Sequence, residues 1–429
     1  MIVIPGKLSK GLIARGESKD AFFLCKDEEI YTLLDENFGR GVPGTLHRAE
    51  GQKEIPVSGI GKAGDRVRLI FYGLPAPSRS RRNRAPAKVK GYVLHGRRWK
   101  EVPVRTLPVK GEIFSRTAGL FETDAIASKK VLIIGLGSVG SHIAVELAKS
   151  GVMEFFLIDH DRLEVANVIR HDAGLSDVGR HKTKVMAERL KDKNPYVKIR
   201  TCEQKVSWTN IEQLRRIVQK VDIVVFATDN PESRLILNKV CVEQNKPFVS
   251  SGAFRRAYGV QILFWRSRKD PCYQCLRMSL PDQANDQEAS DPGQAAGIAY
   301  SDRPVPIEPG LSTDILPVSI MTVKLVTQEL LKGTETTLRS LDEDLVAPLY
   351  LWLNRREAGT QYQKLEPLEF NVDGLHILRW YGIDMKPNPA CPVCGDFVGQ
   401  MGKQDGPVLP DLRKLIGQPP KRISQWTIS

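Results

Sequence analysis

The chain has 429 residues, 41% hydrophobic and 26% charged, which excludes a disordered polar chain and exceeds the length over which one hydrophobic core keeps growing, so a large domain with a smaller companion is expected. Its formal charge of +13 favours acidic partners, whether nucleic acid, nucleotide or acidic protein. No run of about 18 apolar residues and no leader-like order of basic, apolar and small residues occurs, so a cytoplasmic chain without membrane contact is expected.

Residues 1–110 carry short mixed apolar runs, notably 67–72 and 91–94, divided by Gly, Pro and Arg-rich turns. They predict a small β-rich or α+β module of unknown function. Within it, a basic loop at 79–100 holds Arg79, Arg81, Arg82, Arg84, Lys88, Lys90, Arg97, Arg98 and Lys100 with no acid among them. His47, His95 and Cys25 form no clustered set there, so the module is assigned neither metal nor catalysis.

From Lys130 the pattern changes to apolar strands alternating with amphipathic helices, as a parallel sheet with crossover helices requires. Strands are predicted over 131–134, 155–158, 221–227 and 247–249, and helices over 138–150, 182–191 and 232–243. Together they make an α/β, doubly wound, Rossmann-like core with a mainly parallel sheet. The stretch 281–317, rich in Gly, Pro, Asp, Gln and Ser, is too long for a simple connection and is expected to be a mobile functional loop. Helix returns over 319–332, strands over 350–353 and 368–372, and the domain spans 111–400, leaving 401–429 as a flexible tail.

Gly135, Gly137 and Gly140 form a G-x-G-x-x-G turn that follows a strand and opens a helix, where backbone can approach phosphate at a positive helix end. Asp159 ends the next strand, where a carboxylate can accept hydrogen bonds from ribose hydroxyls. These features alone indicate a nucleotide or dinucleotide. The sequence then runs through Asp161, Asn167, Arg170, Gly179 and Lys182, and later reaches Thr228, Asp229 and Asn230.

A D-x-D strand end, an N-x-x-R segment, a G-x-x-K helix start and a T-D-N strand end therefore occur in order, and in this the chain resembles the ThiF/MoeB family, whose fold is shared with the adenylation domains of ubiquitin-activating enzymes. The resemblance covers roughly 111–400. It implies that Gly135, Gly137 and Gly140 pack against ATP, that Asp159, within the Asp159–Asp161 strand end, binds its ribose, that Asn167, Arg170 and Lys182 contact the triphosphate, and that Asp229 holds Mg²⁺. Arg116 is similar to an arginine that in homodimeric members reaches the partner's phosphates. The implied partners are a ubiquitin-like protein with a C-terminal glycine, a downstream conjugating protein, and a second copy of the chain.

The chemistry accounts for these residue types. A carboxylate attacking an already polyanionic nucleotide needs Arg, Lys and Mg²⁺ to offset repulsion and to stabilise the departing pyrophosphate. It needs no general base, because it is ionised at neutral pH.

Four of the seven cysteines stand in two C-x-x-C pairs, Cys272 with Cys275 and Cys391 with Cys394. Four thiolates fill tetrahedral Zn²⁺ with no open position, so a structural zinc site is expected rather than disulfides. Many members of the resembled family carry a nucleophilic cysteine in the loop after the first pair, yet residues 276–390 contain none. A thioester at that place is not expected. Cys202 and Cys241 are taken as structural, and Ser301, Ser312 and Thr313 are the loop hydroxyls that could instead accept the acyl group as an oxyester.

Rival readings are adenylation of a peptide, a small acid or a tRNA nucleoside, an NAD or FAD oxidoreductase on the same glycine turn, and a non-catalytic scaffold. The oxidoreductase leaves Asn167, Arg170, Lys182 and Asp229 without work. The scaffold leaves the phosphate and metal residues unexplained.

Overall fold

A computed structural model describes residues 2–4, 18–26, 30–33, 42–49, 56–72, 88–106, 114, 116–117, 119–120, 123–279, 309–365 and 374–395. The chain divides into two compact units, Met1–Ser115 and Arg116–Ser429.

In the first unit the strands are β1 (Ile2–Ile4), β2 (Ser18–Lys26), β3 (Ile30–Leu33), β4 (Val42–Arg48), β5 (Val67–Tyr72), β6 (Lys88–His95), β7 (Arg98–Val102) and β8 (Val104–Thr106). They form one mixed sheet in the order β7-β6-β5-β4-β2-β3-β1-β8. The run Val-Arg-Leu-Ile-Phe-Tyr of β5 is buried along its whole length because both faces are covered. Val67, Leu69 and Phe71 pack with Ile2, Phe23 and Leu46, while Ile70 and Tyr72 pack with Ala49 and Ile60. No α-helix occurs among the described residues of this unit. Of the basic stretch, Arg97, Arg98 and Lys100 are exposed on the β6–β7 hairpin, whereas Arg79 to Arg84 lie outside the described residues.

The second unit is built on β9 (Lys130–Ile134), β10 (Glu154–Ile158), β11 (Lys198–Cys202), β12 (Ile223–Phe226), β13 (Phe248–Ala253), β14 (Gly259–Trp265), β15 (Leu349–Leu353) and β16 (Trp380–Ile383). Their order is β11-β10-β9-β12-β13-β14-β15-β16. The first five are parallel and the last three join antiparallel. The order of the parallel strands reverses between β9 and β12, and in doubly wound sheets that switch point opens a crevice at the carboxyl ends.

The helices are α1 (Thr123–Ala127), α2 (Gly140–Lys149), α3 (Lys182–Lys193), α4 (Ile211–Val218), α5 (Pro231–Glu243), α6 (Tyr273–Ser279) and α7 (Ser312–Leu330). Period-two alternation assigns them to faces. Val131, Ile133, Phe155, Leu157 and Val225 meet α2, α3 and α7, while Leu132, Ile134, Phe156, Val224 and Phe226 meet α4, α5 and α6. In α2 the buried stripe Ile143, Ala144, Leu147, Ala148 has helical spacing, and each large apolar side chain removed from water contributes about 1.5–3 kcal/mol.

Several expectations are corrected. The predicted helix 319–332 begins at Ser312, because Pro317 sits inside α7 and the burial of Ile315, Val318 and Met321 outweighs the hydrogen bond it removes. Ser312 and Thr313 therefore occupy the first turn of a helix rather than a loop. The strand predicted at 247–249 runs on to Ala253. Strands β11 and β14 and helix α4 were not anticipated. The predicted strand 368–372, the tail 401–429, and Ser301 with most of the predicted loop lie outside the described residues.

Candidate functional site

The carboxyl ends of β9, β10, β12 and β13 open into a cavity of about 590 Å³. Gly135, Gly137, Asp159, Asp161, Asn167, Arg170, Lys182 and Asp229 all line it, though they come from stretches up to about a hundred residues apart. Gly140 and Arg116 do not.

The glycine turn is shaped by contacts that allow no Cβ. At Gly135, with φ of +86°, a Cβ would lie 2.6 Å from the Ala227 carbonyl, and at Gly140 it would lie 1.9 Å from the Gly135 oxygen. Gly140 thus closes the turn on itself and shapes the backbone of the residues that line the cavity. Gly137 has open space where its side chain would be, leaving backbone exposed to a ligand.

The backbone of Leu136 joins three parts of the site. Its N–H donates to Asp159 Oδ2 at 2.6 Å, and its carbonyl accepts from His171 Nε2 at 2.7 Å. His171 Nδ1 accepts from the Ala173 N–H at 2.9 Å, so the ring is a neutral tautomer with both nitrogens engaged. Burial pulls its pKa down to about 4. Burial raises that of Asp159, opposed by Lys182 and by the Asp161 and Leu136 amides. Lys182 is itself nearly buried and donates to Asp161 Oδ2 at 2.9 Å. Asn167 Oδ1 accepts from the Glu164 N–H at 3.1 Å, closing the short helix that carries Arg170.

Asp229 is exposed in the connection from β12 to α5. The next residue caps α5, Asn230 Oδ1 accepting from the Glu232 and Ser233 amides, and Pro231 follows with a φ already suited to the first turn. Among the described residues the metal-capable group at this cavity is Asp159, His160 and Asp161, and Asp229 is not part of it.

Three further contributors were not anticipated. Arg234 is buried at the cavity wall, its Nε donating to the Thr228 carbonyl at 2.8 Å and its Nη2 to the Ser251 carbonyl at 3.0 Å. The signal was legible, because Arg234 and Asn238 are polar residues four apart on the apolar stripe of α5 with Leu237 and Cys241. Arg255 and Arg256 also line the cavity, on a turn where Arg256 (φ 55°) and Ala257 (φ 49°) both take the left-handed conformation. Such backbone costs about 1–2 kcal/mol per residue and is held from outside. Asn354 Nδ2 donates to the Ala257 carbonyl at 2.8 Å, Arg355 to that of Arg256, and Glu357 pairs with Arg256 Nε at 2.7 Å. Together with Arg162, Arg170, Lys182 and Lys205, these arginines outnumber the acids Asp159, Asp161, Glu164 and Asp229. The wall suits a polyanion.

The Cys272, Cys275, Cys391 and Cys394 sulfurs lie within 4.8 Å of one another, all buried. Contacts of 4.0 Å (Cys272–Cys275), 3.6 Å (Cys272–Cys391) and 3.3 Å (Cys275–Cys394) bracket the roughly 3.8 Å edge of a tetrahedron with Zn–S bonds near 2.3 Å. The Asn388 and Val393 amides donate to Cys275 and Cys391 at 3.3 and 3.5 Å, and Asn238 Nδ2 donates to Cys272 at 3.5 Å. Amides aimed at sulfur favour thiolate, so this cluster can hold a metal ion. Cys241, by contrast, is wholly buried in α5 with its thiol pushed up by burial, and Cys202 ends β11 with its thiol raised for the same reason.

The sequence model of the ThiF family matches residues 112–394. The chain is 33% identical over 171 residues to the adenylyltransferase and sulfurtransferase UBA4 of Lodderomyces elongisporus, covering 39% of this chain and 36% of that protein. It is 31% identical over 163 residues to the ubiquitin-like modifier-activating enzyme 5 of Drosophila ananassae, covering 36% and 41%. The chain thus spans about two fifths of the length of these relatives. Among solved structures, E. coli MccB with succinimide aligns over 68% of this chain and 75% of that one, at 19% identity and a TM-score of 0.47.

Proposed function

Because the chain belongs to the ThiF family, we propose that it is an adenylyltransferase that uses ATP and Mg²⁺ to activate the C-terminal carboxylate of a ubiquitin-like protein. The observation that carries this reading is the gathering of the glycine turn, Asp159, Asn167, Arg170, Lys182 and Asp229 around one cation-rich cavity. The relatives named as adenylyltransferases and as an activating enzyme of a ubiquitin-like modifier support it.

In this reading the exposed Gly137 backbone and the N-terminus of α2 take the phosphates, and Asp159 takes the ribose. Asn167, Arg170 and Lys182 hold the triphosphate while a carboxylate oxygen forms a bond to the α-phosphorus and the bond to the β-phosphate bridging oxygen breaks. Lys182, fixed against Asp161, offers its charge without reorganising. Mg²⁺ supplies charge compensation on the leaving pyrophosphate. Asp229 would hold it, since Mg²⁺ commonly takes one or two carboxylates, waters and substrate phosphates rather than a protein cage. The four cysteines would hold a structural Zn²⁺.

With no cysteine between 276 and 390, the acyl group would pass directly to a separate acceptor rather than through a loop thioester. Ser312 and Thr313, in a helical first turn, do not line the cavity. A homodimer is proposed from exposed apolar side chains, with Val165, Ile169 and Leu175 at 64, 78 and 70% exposure and Leu311 at 66% just before α7. Arg116 would then serve the partner's cavity. The basic N-terminal module would bind the small protein or a downstream conjugating partner.

The test is exchange of labelled pyrophosphate into ATP in the presence of ubiquitin-like proteins ending in Gly-Gly. Stimulated exchange supports the reading. Exchange stimulated instead by a peptide, a small acid or tRNA would reassign the substrate.

A further inference from the structure

Helix α5 connects the cavity to the cysteine cluster. At its start, Ser233 Oγ donates to Thr228 Oγ1 at 2.7 Å and Arg234 Nε to the Thr228 carbonyl at 2.8 Å, so this first turn holds the residue that precedes Asp229. One turn on, Asn238 is fully buried. Its Oδ1 accepts from the Tyr273 N–H at 2.9 Å and its Nδ2 donates to Cys272 Sγ at 3.5 Å. Arg234 reaches the same dipeptide, its guanidinium lying 5.9 Å from the centre of the Tyr273 ring.

Arg234 and Asn238 are therefore i and i+4 neighbours that both rest on Cys272–Tyr273. Gly252 completes the arrangement. A Cβ there would meet Arg234 Nη2 at 2.6 Å, so the glycine leaves room for the guanidinium where it donates to the Ser251 carbonyl. One buried cation thus spans the Thr228 loop, the end of β13 and α6.

The geometry points to Arg234 and Asn238 as positioning residues through which the cysteine cluster, once metal-loaded, holds the Thr228–Asp229 loop in its nucleotide-binding shape. Metal occupancy then sets nucleotide affinity as well as stability, and the inference rests on the adenylation reading. The physical reason is that a metal fixes the Cys272 sulfur and the first turn of α6. Without it the Asn238 donor faces a sulfur free to rotate, and of the two hydrogen bonds Asn238 makes to the Cys272–Tyr273 dipeptide only that from the Tyr273 N–H stays fixed.

The experiment measures ATP affinity by calorimetry with Mg²⁺ present, on the full chain. Zinc-loaded wild type is compared with chelated wild type and with zinc-loaded Asn238→Ala, Arg234→Met and Arg234→Lys, metal content and circular dichroism being recorded for each. The expected result is a roughly tenfold or greater rise in Kd on chelation and in Asn238→Ala, with zinc still bound in that variant. A similar rise is expected in Arg234→Met, with partial recovery in Arg234→Lys. Unchanged ATP affinity in folded, chelated protein, or in zinc-loaded Asn238→Ala, would overturn the inference and leave adenylation standing. Absence of ATP binding to zinc-loaded wild type would overturn the adenylation reading itself.

Discussion

Three side chains carry the sharpest consequences of this geometry. Asp229 is exposed and makes no structural bond that the fold depends on among those described, so Asp229→Ala should abolish pyrophosphate exchange with an unchanged melting temperature. Arg170→Ala removes one cation from the developing charge and should lower exchange about 10²–10³-fold. His171 answers to pH. The folded ring stays neutral down to about pH 4, whereas an unfolded histidine takes up its proton near 6.5. Its contribution to stability is fully present above pH 6.5 and is lost as the pH falls toward 4, amounting to at most about 3 kcal/mol. The slope of unfolding free energy between pH 7 and 4.5 should therefore flatten in His171→Gln, which keeps one donor and one acceptor. An unchanged slope would show that the ring is not held neutral.

At the scale of elements, the glycine turn and the cysteine cluster are rigid parts with separable tests. Gly140→Ala drives a methyl into the Gly135 carbonyl and should cost roughly 1–3 kcal/mol, read by denaturant unfolding, together with loss of ATP binding. Removing metal from the four cysteines should lower the melting temperature, because ligand binding free energy is folding free energy at such sites. A melting temperature indifferent to demonstrated metal loss would refute the structural role.

The same scale shows why some elements were legible and others not. β9 and β10 announce themselves as apolar runs beside a glycine turn. The edge strand β11 alternates over only five residues, and with Ile199 its only large apolar side chain it gives too weak a signal. β14 is buried at every position, Gln261 included, and a short apolar run such as 262–265 cannot be told from a buried helix by periodicity. Pro317 masked the start of α7. In the site, the residues with motif spacing were legible, but Arg255 and Arg256 were not, because only a turn clamped by Asn354 and Arg355, just past β15 and about a hundred residues on, brings them to the cavity.

For the whole molecule, the first 115 residues hold most of the charge asymmetry visible in the sequence, with Arg97, Arg98 and Lys100 exposed on one hairpin. If that module recruits an acidic protein, its affinity should fall with rising salt. The proposed dimer makes a separate prediction. Mixing inactive Arg116→Ala and Asp229→Ala proteins should restore up to a quarter of wild-type exchange if each cavity draws on both copies, and none if each copy is self-sufficient.

Adenylation requires the cavity to be a site where a carboxylate meets ATP. Intact-mass analysis of ubiquitin-like proteins ending in Gly-Gly, after incubation with the enzyme, ATP and Mg²⁺, tests this most directly. The predicted result is a gain of one adenylyl group with wild type and none with Asp229→Ala. Unmodified substrates, together with saturable NAD binding that ATP does not displace, would contradict it.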